Sequence, residues 1–503
     1  MSFQIVPPFT SMLHVMRHSA SSSAQVPKVA TRGWISDWLE LVLRTLARAR
    51  KGPTMVTRWM MIFANIIYNS YQYVTPGTAP VDAEYFTVNT KRASLIGTHD
   101  DASLQAWLEA VCRDVIPKFI TQDIALPLPE EEVNALIASH STGPSLPALG
   151  RFASILDAYR QARDQDGWRQ TNVFEGALPN GNAVILADNS APQDLRLLPE
   201  PSKWCPLSFN GVEKNYLSPQ WGTANRGVLS EEVEADLRAQ VNELFPDEEQ
   251  YQREMQEVAL VTASLTSEHN MIAEYWAGGP GSVTPPGMWM ILLDVILRSN
   301  GHSLREEIRF YTVLAAGLYE AGICAWRLKR DRLQARPVQV VRQQQYDQPI
   351  DLAWDEKKSG EYWLPYQTLD FVTPPFPDFV SGHSTFSMTA ARLFCCMLRS
   401  DQITLLNPMI TLDILNYLSP ILAGTTTLFS INSVMIRPKR SEVQPGEEPT
   451  TGVYLGWSTW SEMALSSGRS RILGGIHVES SNQAGLLLGR LIADRIWEQM
   501  RLL

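Results

Sequence analysis

Segment after segment of this chain places its apolar residues at helical spacing, and convincing period-two alternation is rare, so the fold must be built almost entirely from packed helices. The stretch WISDWLELVLRTLARAR, with Ser36 and Asp37 as its expected caps, reads as an amphipathic helix. Pro53 then opens PTMVTRWMMIFANIIYNSYQYV, which is apolar almost all round, is therefore expected to be buried, and ends before Pro76-Gly77. The same spacing predicts helices over 102–121, 129–139, 148–163, 230–245, 249–276, 287–299, 304–328, 384–398, 408–418 and 480–501. One β-hairpin is expected at 173–188, with Asn180-Gly181 as its turn. Long loops fall at 186–228, 336–382 and 419–458, and loops of that length are uncommon unless they serve a function.

At about 150 residues per domain, 503 residues would give roughly three domains. No internal repeat is present, and the helical pattern reads better as two halves forming one compact unit: 1–200, without catalytic motifs, and 201–503, carrying the site. A hydrophobic content of 45% with 19% charged residues describes a globular protein. The net charge of −10 speaks against a general nucleic-acid binder. Five cysteines without CxxC or Cys/His metal spacing read as buried free thiols. No apolar run reaches the roughly 18 residues a spanning helix needs, so no membrane partner is expected. The N-terminal segment lacks the pattern of a secretion signal, and the expectation is a soluble, cytoplasmic protein. The apolar helices of the first half could equally form an internal interface or that of a homodimer, the favoured assembly.

Three short segments carry the chemistry. In the first, Lys329 and Arg336 are separated by six residues and followed by Pro337, which is expected to end the helix begun near 304 and let both cations converge from its end. Alone, this is ordinary basic charge at a helix C-terminus. The second, Pro374-Pro375-Phe376-Pro377-Asp378-Phe379-Val380-Ser381-Gly382-His383-Ser384, delivers Ser-Gly-His to the start of an apolar helix. Free backbone amides there form an anion site, Gly382 admits an oxyanion to the main chain, and His383 can exchange protons with it near neutral pH. Alone, the histidine could simply help start the helix. In the third segment, Arg471 precedes His477 by six residues, with Gly474 and Gly475 between, and Arg471 adds a planar fork of donors for a tetrahedral oxyanion.

Taken together, in the order KX6RP, PX3SGH with valine where proline often stands, and SRX5H, these segments resemble the superfamily that joins type 2 phosphatidic acid phosphatases, bacterial acid phosphatases and vanadium-dependent haloperoxidases. The stretch EYWAGGPGSVTPPGMW and the phrase PPFPDFVSGHSTF look most like the soluble haloperoxidases, and the resemblance covers roughly 265–500. It implies an all-α fold of two packed helical bundles with at most a small β-hairpin, and a vanadate cofactor in a site that phosphate may also fill. It makes His477 the vanadium ligand and His383 the acid/base. Lys329, Arg336, Arg471, Ser381 and the Gly382 amide would hold the vanadate oxygens, Lys329 also polarising the reacting oxygen. Trp326 and Phe376 would line the halide side, and Ser384 would modulate proton transfer, organise substrate or merely cap its helix. The implied reaction uses hydrogen peroxide to oxidise halide, bromide and conceivably chloride, to a hypohalous-acid equivalent that halogenates a small organic substrate. Two alternatives share the scaffold: an acid phosphatase using His477 as nucleophile, and a weakly active or inactive phosphate-binding relative.

Two departures stand out. The third motif commonly continues HX3D, yet Ser481 stands at that position, leaving Glu479 or Ser481 to orient His477. A W-A-D-G phrase of the soluble relatives reads Trp276-Ala277-Gly278-Gly279, so the acidic partner of an active-site arginine is lost, with Glu274 a candidate to replace it.

Overall fold

Local signals in the sequence set most helix boundaries. A computed structural model describes residues 33–74, 101–124, 129–140, 161, 163–169, 178–181, 183–187, 192–225, 227–352, 355–404, 426–430, 433–437, 441–444 and 455–501, all within a unit running from Arg32 to Leu503. The expected helices at 148–163, save its last few residues, and at 408–418 lie outside the described residues. Helices α1 (Trp34–Arg48), α2 (Pro53–Val74), α3 (Asp101–Ile124) and α4 (Glu130–His140) follow the predicted segments, with Gly33 rather than Ser36 or Asp37 at the N-cap of α1. Helix α5 (Glu231–Asn242) starts on the Ser230 hydroxyl, which accepts from the amide of Val233.

The predicted 249–276 helix is two helices, α6 (Glu248–Ala263) and α7 (Ser267–Tyr275). Thr266 is the reason: its hydroxyl and the His269 ring form a reciprocal capping box that restarts the chain. Helix α8 (Thr284–Asn300) ends on left-handed Gly301. Helix α9 (Leu304–Arg332) begins with a Ser303/Glu306 capping box and runs past the predicted end at 328. Leu333, in the left-handed conformation, stops it, and Pro337 instead opens α10 (Pro337–Gln344), inside a region expected to be loop. Then come α11 (Gly382–Leu398), α12 (Trp460–Leu473) and α13 (Glu479–Met500). The sequence reading missed α12, whose serine-rich WSEMALSSGRSRIL lacks a clean apolar stripe but is started by a Thr459/Glu462 capping box.

The fold is all-α, with a few short strands. The first arm of the hairpin expected at 173–188 lies outside the described residues; in its second arm β1 (Ile185–Leu186) pairs in parallel with β2 (Leu207–Phe209), and β2 turns back on β3 (Val212–Lys214). Asn210 and Gly211, both at positive φ, make the turn between β2 and β3, a second Asn-Gly pair that the sequence reading did not use. Antiparallel β4 (Pro349–Leu352) and β5 (Asp355–Ser359), and β6 (Thr426–Ser430), β7 (Ser433–Arg437) and β8 (Leu455–Trp457), fill parts of the expected loops.

One large apolar core takes in side chains of α1, α2 and α3 together with α8, α9, α11, α12 and α13. Helix α2 packs on α9 and α8, while α11 packs on α13, α12 and α9. Where α13 crosses α11, Gly485 lets the backbones meet: a Cβ there would lie 2.6 Å from the Ser381 carbonyl oxygen. That close approach brings the start of α13 to the start of α11, and the Ser381 amide donates to the Ser481 carbonyl across 3.0 Å. No helix among the described residues is long and apolar enough to cross a membrane.

Candidate active site

Four helix ends converge at one place: the C-terminal turn of α9 brings Lys329, the N-cap of α10 is Arg336, the N-cap of α11 is Ser381, and the last turn of α12 carries Arg471. His477 sits in the short link between α12 and α13. Lys329, Arg336, Ser381, Arg471 and His477 are all buried, a costly arrangement for three cations unless something of opposite charge is held among them.

Main-chain carbonyls hold the cations in place. Lys329 Nζ donates to the carbonyls of Pro377 at 2.8 Å and Asp378 at 2.9 Å. Its ammonium lies 5.0 Å from the Phe376 ring centroid and 5.9 Å from that of Trp326, whose rings contact each other at 4.9 Å. Arg336 donates through Nε to the Phe376 carbonyl at 2.7 Å and through Nη1 to the Ile476 carbonyl at 2.6 Å, with the same Nη1 3.0 Å from His477 Nε2. Arg336 Nη2 and Arg471 Nε are buried without a hydrogen-bond partner among the described residues.

At the start of α11 the Ser381 hydroxyl accepts from the Ser384 amide at 3.3 Å, and Ser384 Oγ lies 2.8 Å from both Ser381 Oγ and Asn482 Oδ1. Gly382 is the first helical residue, two positions before the predicted start at 384, so its amide lies at the helix N-terminus. His383 is half-buried and its Nε2 is 2.8 Å from the Trp276 carbonyl. Arg471 Nη1 donates to that same carbonyl at 2.9 Å. A main-chain oxygen thus serves both groups beside the position where the W-A-D-G carboxylate is lost. Gly278 itself sits at φ +56, and a Cβ there would come 3.3 Å from His383 Nε2.

Glu274 does not take over that task. It accepts instead from Tyr366 Oη at 2.7 Å, Ser441 Oγ at 2.6 Å and the Glu442 amide at 2.8 Å, because it lies on α7 on a face turned toward those residues. Glu479 is likewise engaged elsewhere, by the Asn482 amide group at 3.1 Å and by Gln483. Ser481 does reach His477, with Oγ 3.2 Å from Nδ1. The residue missed from sequence is Asp378: its buried carboxylate is hydrogen-bonded to His477 Nδ1. Its signal was an acidic residue inside PPFPDFVSGH, on the rigid approach to the Ser-Gly-His turn.

The electrostatics follow from burial and from like charges. Burial, then Arg336, pushes the Lys329 ammonium well below its usual range, against the pull of Asp378. Burial lowers Arg336 to about 10, and burial with Arg336 beside it lowers Arg471 to about 9. Burial raises the Asp378 carboxyl, opposed by Arg336, Ser481 and Lys329. Burial and the surrounding cations drive His477 well below 6.5, and burial with Arg471 does the same for His383. Both imidazoles are therefore neutral at pH 7, one able to offer a lone pair and the other able to take a proton. Partnerless guanidinium nitrogens, a helix N-terminus, a hydroxyl and a neutral imidazole together make a receptor for a highly charged oxyanion.

The model of the VCPO second helical-bundle domain family matches residues 309–503, the region that contains all three segments. Among solved structures, a holo-type bacterial vanadium-dependent chloroperoxidase shares the fold at TM-score 0.67 and 15% identity, over 94% of this chain and 98% of that one. The apo-type bacterial vanadium-dependent chloroperoxidase gives TM-score 0.62 at 14% identity, over 95% and 96%. A bacterial vanadium-dependent iodoperoxidase gives 0.57 at 15% identity, over 93% and 96%. No curated protein matches the sequence. The fold is thus the helical one of these bacterial enzymes.

Proposed function

We propose that the chain is a vanadium-dependent haloperoxidase that uses hydrogen peroxide to oxidise bromide, and chloride as a second halide, for halogenation of small organic substrates. The observation that carries this reading is the placement of His477, carboxylate-bound at Nδ1, with Nε2 turned toward buried Arg336 and with buried Lys329 and Arg471 close enough to act on its charge. The residues fit vanadate: Arg336 Nη2 and Arg471 Nε are buried donors without partners among the described residues, and an oxyanion would satisfy both while offsetting the repulsion among the cations. His477 would hold the metal through Nε2, and Lys329, Arg336, Arg471, Ser381 Oγ and the Gly382 amide would hold its oxygens.

When bound, vanadate supplies a Lewis-acidic centre that activates peroxide toward halide without changing oxidation state. The protein's own part is proton handling and positioning. His383 donates its Nε2–H to the Trp276 carbonyl, which leaves Nδ1 as the ring nitrogen able to take a proton from hydrogen peroxide as it enters, and burial, with Arg471 on the same carbonyl, keeps that imidazole neutral beforehand. Lys329, held at the Pro377 and Asp378 carbonyls, presents its charge beside Phe376 and Trp326, whose rings give the halide a poorly hydrated wall. Halide attack gains from that desolvation because water otherwise stabilises the anion.

The test loads the purified protein with orthovanadate and compares peroxide-dependent bromination and chlorination with hydrolysis of a chromogenic phosphate ester. Halogenation that needs both vanadate and peroxide is expected. Hydrolysis without halogenation would overturn the reading in favour of an acid phosphatase using His477 as nucleophile, and binding of phosphate with neither reaction would point to a non-catalytic relative.

A further inference from the structure

We infer that Asp378 is the positioning residue for His477, a carboxylate supplied by the second segment in place of one that the third segment lacks. The inference deepens the reading above and rests on it in one respect, that His477 is the group which engages the bound oxyanion. One turn into α13, where a side chain would naturally face back to His477 Nδ1, the chain carries Ser481, whose Oγ stops 3.2 Å away. The carboxylate of Asp378 reaches the same nitrogen from the opposite direction, across 99 residues of sequence.

The loop bearing Asp378 is fixed at every residue leading up to it. Arg336 binds the Phe376 carbonyl, and Lys329 binds the carbonyls of Pro377 and Asp378. The Asp378 amide donates to the Gln334 carbonyl at 2.9 Å, and Ser481 Oγ donates to the Asp378 carbonyl at 3.0 Å. The cations expected to hold the oxyanion therefore also lock the backbone that carries this carboxylate. Ser481, too short to displace it, clamps its main chain instead.

A carboxylate acceptor requires the ring proton on Nδ1, which leaves the Nε2 lone pair on the side of Arg336 and the other donors. The hydrogen bond selects both the tautomer and the ring plane. Without it, Nδ1 would be left facing only Ser481 Oγ, a neutral oxygen 3.2 Å away whose own proton goes to the Asp378 carbonyl, so the preference for the Nδ1–H form would be much weaker.

The experiment compares Asp378→Ala, Asp378→Asn and the double variant Asp378→Ala/Ser481→Asp with the parent protein. Two readouts need no turnover: the ring tautomer of His477 from long-range 15N–1H correlations in histidine-labelled protein, assigned by loss of the signal in His477→Ala, and equilibrium binding of orthovanadate and of inorganic phosphate. The parent is expected to show the Nδ1–H form. Asp378→Ala should mix the tautomers and weaken orthovanadate binding by roughly 10–100-fold, and the double variant should recover the Nδ1–H form and most of the affinity. Asp378→Asn, closest in shape, keeps an acceptor without the charge and should fall between them, and it stands in for Asp378→Ala if thermal unfolding shows the alanine variant unfolded. Parent-like tautomer and affinity in a folded Asp378 variant would overturn the inference, as would failure of the relocated carboxylate to restore either. A protein that hydrolyses phosphate esters and does not halogenate would refute the haloperoxidase reading alone, since phosphate binding and the tautomer still report on Asp378.

Discussion

Two histidines of the site differ in what their ring nitrogens face. His477 is gripped at Nδ1 and points Nε2 at Arg336, whereas His383 turns Nε2 to a single carbonyl and is half-buried. Replacing His477 with alanine is therefore expected to abolish orthovanadate binding and halogenation together. Replacing His383 should leave most of the binding and lower turnover by about 10²–10⁴-fold, the usual range for loss of a positioned acid/base. Equilibrium binding measured beside bromination kinetics separates the two, and unchanged turnover in either variant would refute the assigned roles. At this scale the sequence was legible wherever chemistry resided in side chains of short segments: Lys329, Arg336, Ser381, Gly382, His383, Arg471 and His477 all meet around one point. It was silent where a partner is a backbone atom, as with the Trp276 carbonyl, or comes from far along the chain, as with Asp378. Neither a carbonyl's direction nor a contact spanning 99 residues leaves a spacing pattern to read.

Helix ends, more than helix bodies, position those side chains. The start of α13 has no capping side chain of its own at Val478, and Glu254 from α6 supplies one by accepting from Ser480 Oγ at 2.6 Å and from its amide at 3.2 Å. Glu254→Ala should cost about 1–2 kcal/mol in denaturant unfolding, as loss of a helix cap with buried donors does. The crossing of α13 over α11 is the second determinant. Gly485→Ala would drive a methyl toward the Ser381 carbonyl, and the helices must separate or rotate to admit it. A loss of about 1–3 kcal/mol is expected from that overpacking, with weakened orthovanadate binding because the start of α11 moves. Parent-like stability and affinity would show the crossing to be looser than its geometry. Boundary signals also account for what the sequence reading got wrong among the helices. The capping boxes at Thr266 and Thr459 were overlooked because apolar periodicity carries across the first and is weak after the second.

On the scale of the whole chain, the net charge of −10 conceals a buried basic cage, so overall charge says little about the ligand. What joins the first helices to the site-bearing ones is partly polar. Asp294 on α8 accepts from Ser36 on α1 and Tyr311 on α9, and pairs with Arg298 at 3.2 Å, while Arg298 also donates to Ser36 Oγ at 2.7 Å. Glu307 of α9 lies beside this network, and burial together with the Asp294 charge raises its carboxyl to about 7, against the pull of Arg298. For a carboxyl raised in the folded state, folding favours the protonated form. Its contribution is fully present below the ordinary value near 4.5 and is lost as pH rises through about 7. Across that window the ionised side chain costs on the order of 2–3 kcal/mol at the joint between the first helices and α9. Glu307→Gln removes the titration. The variant should therefore be more stable than the parent at pH 8, with the difference shrinking steadily as the pH is lowered to 5. Urea unfolding of both proteins over that range checks it, and a difference independent of pH would mean that Glu307 is not held in its protonated form by the fold.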